Sequence, residues 1–355
     1  MYHAAETMRR PGPATALLML GIFTASLLPP AAARAPAADA WDLRQMSADE
    51  RRRVIGGEIV PFAVAERTDR DLAAGLMMFL PLPVPRVGDY LAEAELAVRD
   101  AGVVSWGALP ERAEAASLAK LRLGPAEADE LLDARPGSVW NLSSAEMDGL
   151  RAMRAMLPVA SRALQAESVS TQYRAILLRR TQAYRAGGLD GVEPYARRGG
   201  TTTDPAAELR QAAEDARPLT TVLPSLVDAL LHYPALQHAG RGSQLYWVER
   251  RLQGRVDPVL VHQLVDVRPE LALHVERHFF VGHAYNSSQT LTGALPWGNG
   301  SLVFVVARVS TDLVAGLGGD VKRSLGRRQL RGDLSSRLDR VRAGLARPTP
   351  LPQSP

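Results

Sequence analysis

Three of the chain's seven histidines fall in one stretch, HVERHFFVGHAYNSSQTLTG (274–293), which begins with His274, Glu276 and His278 at alternate positions. Side chains on a strand alternate between its faces, so these three share a face if the segment is extended. Two imidazoles and a carboxylate are the ligand set of zinc or non-haem iron sites. The order is not HExxH, however, and alternate residues on a strand stand about 7 Å apart, so only a strongly curved strand would let all three converge. The expectation is therefore a solvent-facing polar ladder opposite Val275, Phe279 and Val281, with no metal.

His283 lies on the other parity, with Phe279, Val281 and Tyr285. There it is either a hydrogen-bonded core residue or a cavity-lining donor or general base. His262, between Leu260 and Leu264, points inward by the same reasoning. Glu249 shares a face with Leu245 and Trp247, and a half-buried carboxylate there calls for a partner such as His262 or Arg308. A Glu–His–Arg cluster would hold a ligand head, move protons, or simply pair within the sheet. The candidate ligand-binding set is Tyr246, Trp247, Glu249, His262, His283, Tyr285 and Arg308, drawn from successive strands that would face one cavity. Apolar rings with a few hydrogen-bonding groups are what small-molecule pockets contain. No catalytic residue is assigned.

Other templates fail. The chain has no cysteine, which excludes disulfides and thiolate chemistry. No G-x-S-x-G elbow, Walker loop, dinucleotide fingerprint or EF-hand loop is present. Ser117-x-x-Lys120 matches S-x-x-K without the K-T-G that should follow. AGLGGD (315–320) precedes a helix and reads as a hinge, with an anion cradle as the alternative.

The elements that must position these residues follow from periodicity and caps. GEIVPFAVAE and LAAGLMMFLPLPV read as strands, the second apolar on both faces. Val87, Tyr90, Leu91, Ala94 and Val98 recur at helical spacing. GVVSWG and GSVWNL read as short strands, with a small helix at 125–134 between them. Ser47-x-x-Glu50 and Ser143-x-x-Glu146 are capping boxes, and Gly187-Gly188 ends the long helical run from Val159 to Tyr184. RRGGTTTDP (197–205) reads as a linker, with Asp204 and Pro205 opening the next helix. Another short helix is expected from Pro224 to His232. GSQLYWVERRL, DPVLVHQLV, LALHVERHFFVGHAY and SLVFVVARV are strands joined by hairpins. The last helix runs to about Leu345, with Leu325, Leu334, Leu338, Val341 and Leu345 as one apolar stripe.

Composition sets the class. The chain has 355 residues, 46% hydrophobic and 23% charged, with a net charge of +4, which fits a globular protein and not a nucleic-acid binder. Its only lysines are Lys120 and Lys322, an arginine and alanine bias typical of a GC-rich bacterial genome. Residues 1–40 read as a signal peptide: Met8, Arg9 and Arg10 are followed by an apolar run (14–28) of about fifteen residues, shorter than the roughly twenty of a spanning helix. Ala38-Asp39-Ala40 is a cleavage site before Trp41, and an uncleaved anchor is the alternative. The tail 348–355 reads as disordered.

The expected fold is α+β: a single domain (41–347), an antiparallel sheet with a long C-terminal amphipathic helix, and a helical insertion around 143–235. That order resembles START-like, helix-grip lipid-binding domains, including exported bacterial members that open with a GEIV-type strand. The resemblance implies a cavity between sheet and helix. The chain also resembles a group of uncharacterised bacterial exported proteins. The shared features are Tyr246-Trp247, Glu249, His262, His283 with Tyr285, Arg308, Gly316 with Gly318-Gly319, and YRAGGLDGVEPYARRGG (184–200). Where that group has a more polar strand, this chain reads PGSVWNLSS. The second resemblance implies export and no particular reaction. The functional expectation is thus a periplasmic or secreted protein that binds a lipid or apolar small molecule, without a cofactor. The basic last helix (Lys322, Arg323, Arg327, Arg328, Arg331, Arg337, Arg340, Arg342) is either a solvated face or a peripheral membrane contact. The alternatives are an enzyme using His262, His283 and Glu249 in the same cavity, or a non-catalytic envelope interaction protein.

Overall fold

A computed structural model describes residues 46–93, 102–157, 161–216, 224–235, 242–252, 254–316 and 318–346. The expected signal segment, Ala94 and Val98 of the early helix, and the tail lie outside them. The helices are α1 (Ala48–Ile55), α2 (Val84–Ala92), α3 (Pro125–Leu132), α4 (Ser144–Met156), α5 (Arg162–Gly187), α6 (Pro205–Glu214), α7 (Pro224–Leu231) and α8 (Gly319–Ala346). The strands are β1 (Val60–Phe62), β2 (Asp71–Leu80), β3 (Val103–Leu109), β4 (Tyr195–Ala196), β5 (Thr202–Thr203), β6 (Gly242–Leu252), β7 (Arg255–Arg268), β8 (Leu271–Val281), β9 (Ser287–Trp297) and β10 (Gly300–Ser310).

The chain is α+β. Eight strands form one antiparallel sheet in the order β1-β2-β10-β9-β8-β7-β6-β3, and α8 packs against it. β6 to β10 are a meander built from consecutive hairpins, while β2 and β3 come from the N-terminal part and flank it on either side. Helices cover both faces. On one, α2 and the stripe Leu334, Leu338, Val341 and Leu345 of α8 close over Leu76, Met78, Val303 and Val305. On the other, α3 to α5 pack on Trp247, Leu260, Phe279 and Phe280, and α6 and α7 on Leu264, Val275, Leu291 and Phe304. Burial on two sides explains why β8 is buried at every position and why its hydrophobic pattern does not alternate cleanly.

Local signals act where expected. Both capping boxes form, Asp204 caps α6 with Pro205 in its first turn, and α5 stops at Gly188. Gly188 has φ +57°, and a Cβ there would meet the Tyr233 carbonyl oxygen at 1.7 Å, so only glycine fits.

Several expectations are corrected. SSQTLTGALPW is strand β9, hidden in the sequence because polar residues fill a strand that the helices bury from both sides. GSVWNL forms turns instead of a strand. The expected linker at 197–205 is pinned in place: Arg197 donates to Asp312 (2.7 Å), Asn141 (2.8 Å) and Asn286 (3.1 Å), and Thr203 also donates to Asp312. Leu325 leaves the core stripe and is 64% exposed. The ladder His274, Glu276 and His278 shares a face, but that face is buried under α8 and not open to solvent.

Candidate functional site

Between the sheet and the N-terminal half of α8 lies a cavity of about 350 Å³, within the usual range for small-molecule sites. Its lining changes character from strand to strand. Leu72 on β2 and Ala307 and Val309 on β10 are apolar, and Leu330 and Leu334 of α8 extend that side. Ser288 and Thr290 on β9 bring hydroxyls, and Glu276 and His278 on β8 and Arg250 on β6 bring ionisable groups. The strand order therefore makes the β2–β10 side of the cavity floor apolar and the β9–β8–β6 side largely polar, with Leu252 of β6 and Ala284 as the apolar exceptions there. Gly326 of α8 lets the helix approach Leu72 closely on the apolar side, since a Cβ there would come 2.7 Å from Leu72 Cδ1.

Glu276 is held by Arg337 of α8, whose Nη2 donates to both carboxylate oxygens at 2.6 Å. Burial alone would raise that carboxyl, but the Arg337 guanidinium, helped by His274, overrides it and holds it at about 2. The group is an anion at neutral pH. His278 Nδ1 lies 2.7 Å from the Tyr285 hydroxyl. Burial, then the nearby Arg250 charge, hold His278 at about 3, so it is neutral. Burial likewise raises Tyr285, which stays a phenol. His274 sits 3.8 Å from Glu276, with neither ring nitrogen hydrogen-bonded among the described residues.

The seven candidates do not share one cavity. Tyr285 lines the cavity, and Tyr246 packs in the small cluster of Val248, Val259 and Val281 beside it. Trp247 and His262 lie on the opposite face, in the core formed with the central helices. Trp247 donates to the Ser117 carbonyl at 2.8 Å. His262 is bracketed by Tyr184 (2.8 Å to Nδ1) and Ser243 (2.9 Å to Nε2), and burial, then the Arg277 charge, keep it neutral at about 3. Glu249 has neither expected partner. Burial raises its carboxyl. Arg308 pairs with Asp71 (2.6 Å) and Asp215 (3.0 Å) instead.

His283 follows β8, and a bulge there breaks the expected parity: Leu260 faces Phe280 while Val261 faces His278. Phe279 and Phe280 consequently both enter the core beneath the central helices. His283 packs edge-on to Trp140, with Nδ1 3.5 Å from Asp257 and Nε2 3.3 Å from the Val256 carbonyl. The trio His262, His283 and Glu249 thus has no common reacting point. In the S-x-x-K match, the Ser117 hydroxyl accepts from the Glu114 amide, closing its own turn.

Sequence reasoning missed Arg250, Ser288 and Thr290 and placed Arg337 on a solvated face. The available signal was position: Arg337 sits among Leu334, Leu338 and Val341 in the apolar stripe, where a charge needs a buried partner.

No protein-family model matches the chain, and no curated protein or solved structure matches it significantly.

Proposed function

We propose that this protein binds a small amphiphile, an apolar body with a polar head, in the cavity between the sheet and α8. The observation that carries this reading is the polarity gradient across one cavity, from Leu72, Ala307 and Val309 to Glu276, His278 and Arg250. The sheet-then-helix order, with its resemblance to START-like lipid-binding domains, supports it. The basic, apolar and small-residue succession in residues 1–40 supports action outside the cytoplasm. At the cavity mouth Leu313 and Leu325 are exposed beside Lys322, and Val321, Arg328 and Arg331 are further exposed positions of α8. That combination suits transient contact with an anionic lipid surface while the ligand is exchanged.

The test is native mass spectrometry on protein purified from its host. Wild type should carry a small molecule. Gly326→Leu, which pushes a side chain toward Leu72, should lose it by about tenfold or more in occupancy ratio, with circular dichroism unchanged. Equal retention by the variant would place the ligand elsewhere and sink the reading.

A further inference from the structure

The polar side of the cavity is built from registered pairs. His278 stands across from Ser288 and Glu276 across from Thr290, on the same face of β8 and β9, and all four line the cavity. Directly opposed side chains lie about 5 Å apart and alternate ones about 7 Å apart, so the four form a patch of molecular-head size. Glu276 is spent, since Arg337 holds both of its oxygens. Arg250 and Asp333 of the lining also have partners of their own, and Lys322 stands exposed at the mouth. What is left over on this wall is neutral. Among the described residues neither the Ser288 nor the Thr290 hydroxyl is hydrogen-bonded. His278, only 6% exposed, is bonded through Nδ1 and not through Nε2.

The Tyr285 hydroxyl, 2.7 Å from Nδ1, either donates to that nitrogen or accepts from it, so Nε2 is a donor in one case and an acceptor in the other. A ligand hydroxyl answers both cases, because it carries a donor and acceptors on one rotatable atom. A carboxylate only accepts and an ammonium only donates. Either would also bring in a charge that no uncommitted counter-charge on this wall offsets. Three receiving groups spread over about 7 Å exceed the reach of one head hydroxyl and suit two on adjacent carbons. The volume, about 350 Å³, lies at the small end of the roughly 300–1,000 Å³ range of ligand sites, which suits a medium chain over a long one.

We propose that the head is a neutral vicinal diol received by Ser288, Thr290 and His278 Nε2, so that the cavity selects medium-chain diols over the matching acids, amines and methyl esters. This rests on the amphiphile-binding reading above and names its ligand class. Isothermal titration of the purified full chain with 1,2-decanediol, methyl decanoate, decanoate and decylamine tests it. The diol should bind about tenfold or more tighter than each of the other three. Ser288→Ala with Thr290→Val should bring the ratio of diol to methyl ester binding to about one, with circular dichroism unchanged. His278→Phe should lower that ratio part of the way. Should the double variant fail to fold, Thr290→Val alone, which keeps the side-chain shape, should lower the ratio by about threefold or more. A wild type that binds any other probe as tightly as the diol, or a diol preference unchanged in the folded hydroxyl variants, overturns the diol head. Both outcomes leave the amphiphile reading standing. No binding of any of the four overturns both.

Discussion

The two faces of the sheet carry histidines of the same charge state and opposite availability. His262, beneath the central helices, and His278, beneath α8, are both neutral with values near 3, because burial and a neighbouring arginine charge penalise the cation in each. His262 has a partner on each ring nitrogen and sits against Tyr184 and Tyr233, with Phe279 stacked 4.0 Å from Tyr184. Among the described residues His278 has a partner on one nitrogen, and it borders open volume. A perturbed histidine is therefore a poor marker of a site by itself. What separates the structural residue from the candidate ligand contact is whether its hydrogen-bonding capacity is exhausted.

The comparison also explains why one face is sealed and the other is not. Long helices and a dense aromatic cluster close the central-helix side. On the other side α2 and the C-terminal half of α8 share the covering, and Tyr90 of α2 donates to the Arg340 carbonyl. The N-terminal half of α8 lies over β2 and β10, where Gly326 and small Ala307 line the cavity.

The largest expected break is Leu338→Asp. Leu338 is fully buried where α8 meets the sheet, so an unpaired carboxylate there should cost about 3–5 kcal/mol. A melting temperature unchanged within error would mean that α8 does not depend on this contact. Second, His262→Leu should cost about 1–3 kcal/mol by stranding the Tyr184 and Ser243 hydroxyls, yet leave ligand retention intact, since His262 faces away from the cavity. Loss of ligand in a folded His262→Leu protein would erase the distinction between the two faces.

The third effect is smaller and depends on pH. Asp257 is buried where β7 meets the turn after β8, and it accepts from the His283 and Ala284 amides at 3.0 and 2.7 Å. Burial outweighs these bonds and raises its carboxyl from 3.8 to about 7. Between those values the native state holds a proton that the unfolded chain releases, so this stabilisation is full below about pH 4 and is lost as pH rises to about 7. The stability difference between wild type and Asp257→Asn, followed by denaturant titration, should decline across that window and then level off. A flat difference would show that the Asp257 site is open to water. The smallest effect on stability is Arg328→Glu with Arg331→Glu. Both positions are exposed, so stability should hold within about 0.5 kcal/mol. Binding to anionic vesicles should fall roughly tenfold or more, given about 1 kcal/mol per basic residue at such a surface. Unchanged vesicle affinity would remove the membrane contact from the proposal.

Much of the architecture is local and therefore readable. Caps at Ser47, Ser143 and Asp204, the stop at Gly188, the meander strands other than β9 and the stripe Leu334, Leu338, Val341 and Leu345 all follow from short-range rules. Face sharing by His274, Glu276 and His278 follows from period two as well. Three things required the assembled sheet. The bulge at Phe279 shifts parity, so Phe279 and Phe280 both enter the central-helix core while Val281 and Tyr285 fall on the α8 side, away from His283. The polar sequence of β9 becomes strand only because β8 and β10 pair with it on both sides. Finally, partners distant in sequence decide what each ionisable group does. Glu276 meets Arg337 across 61 residues, and Arg308 meets Asp71 across 237. A single chain lists which groups need partners, because burying an unpaired charge is costly. Which partner arrives, and which group is left facing a cavity, is set by strand order and helix placement.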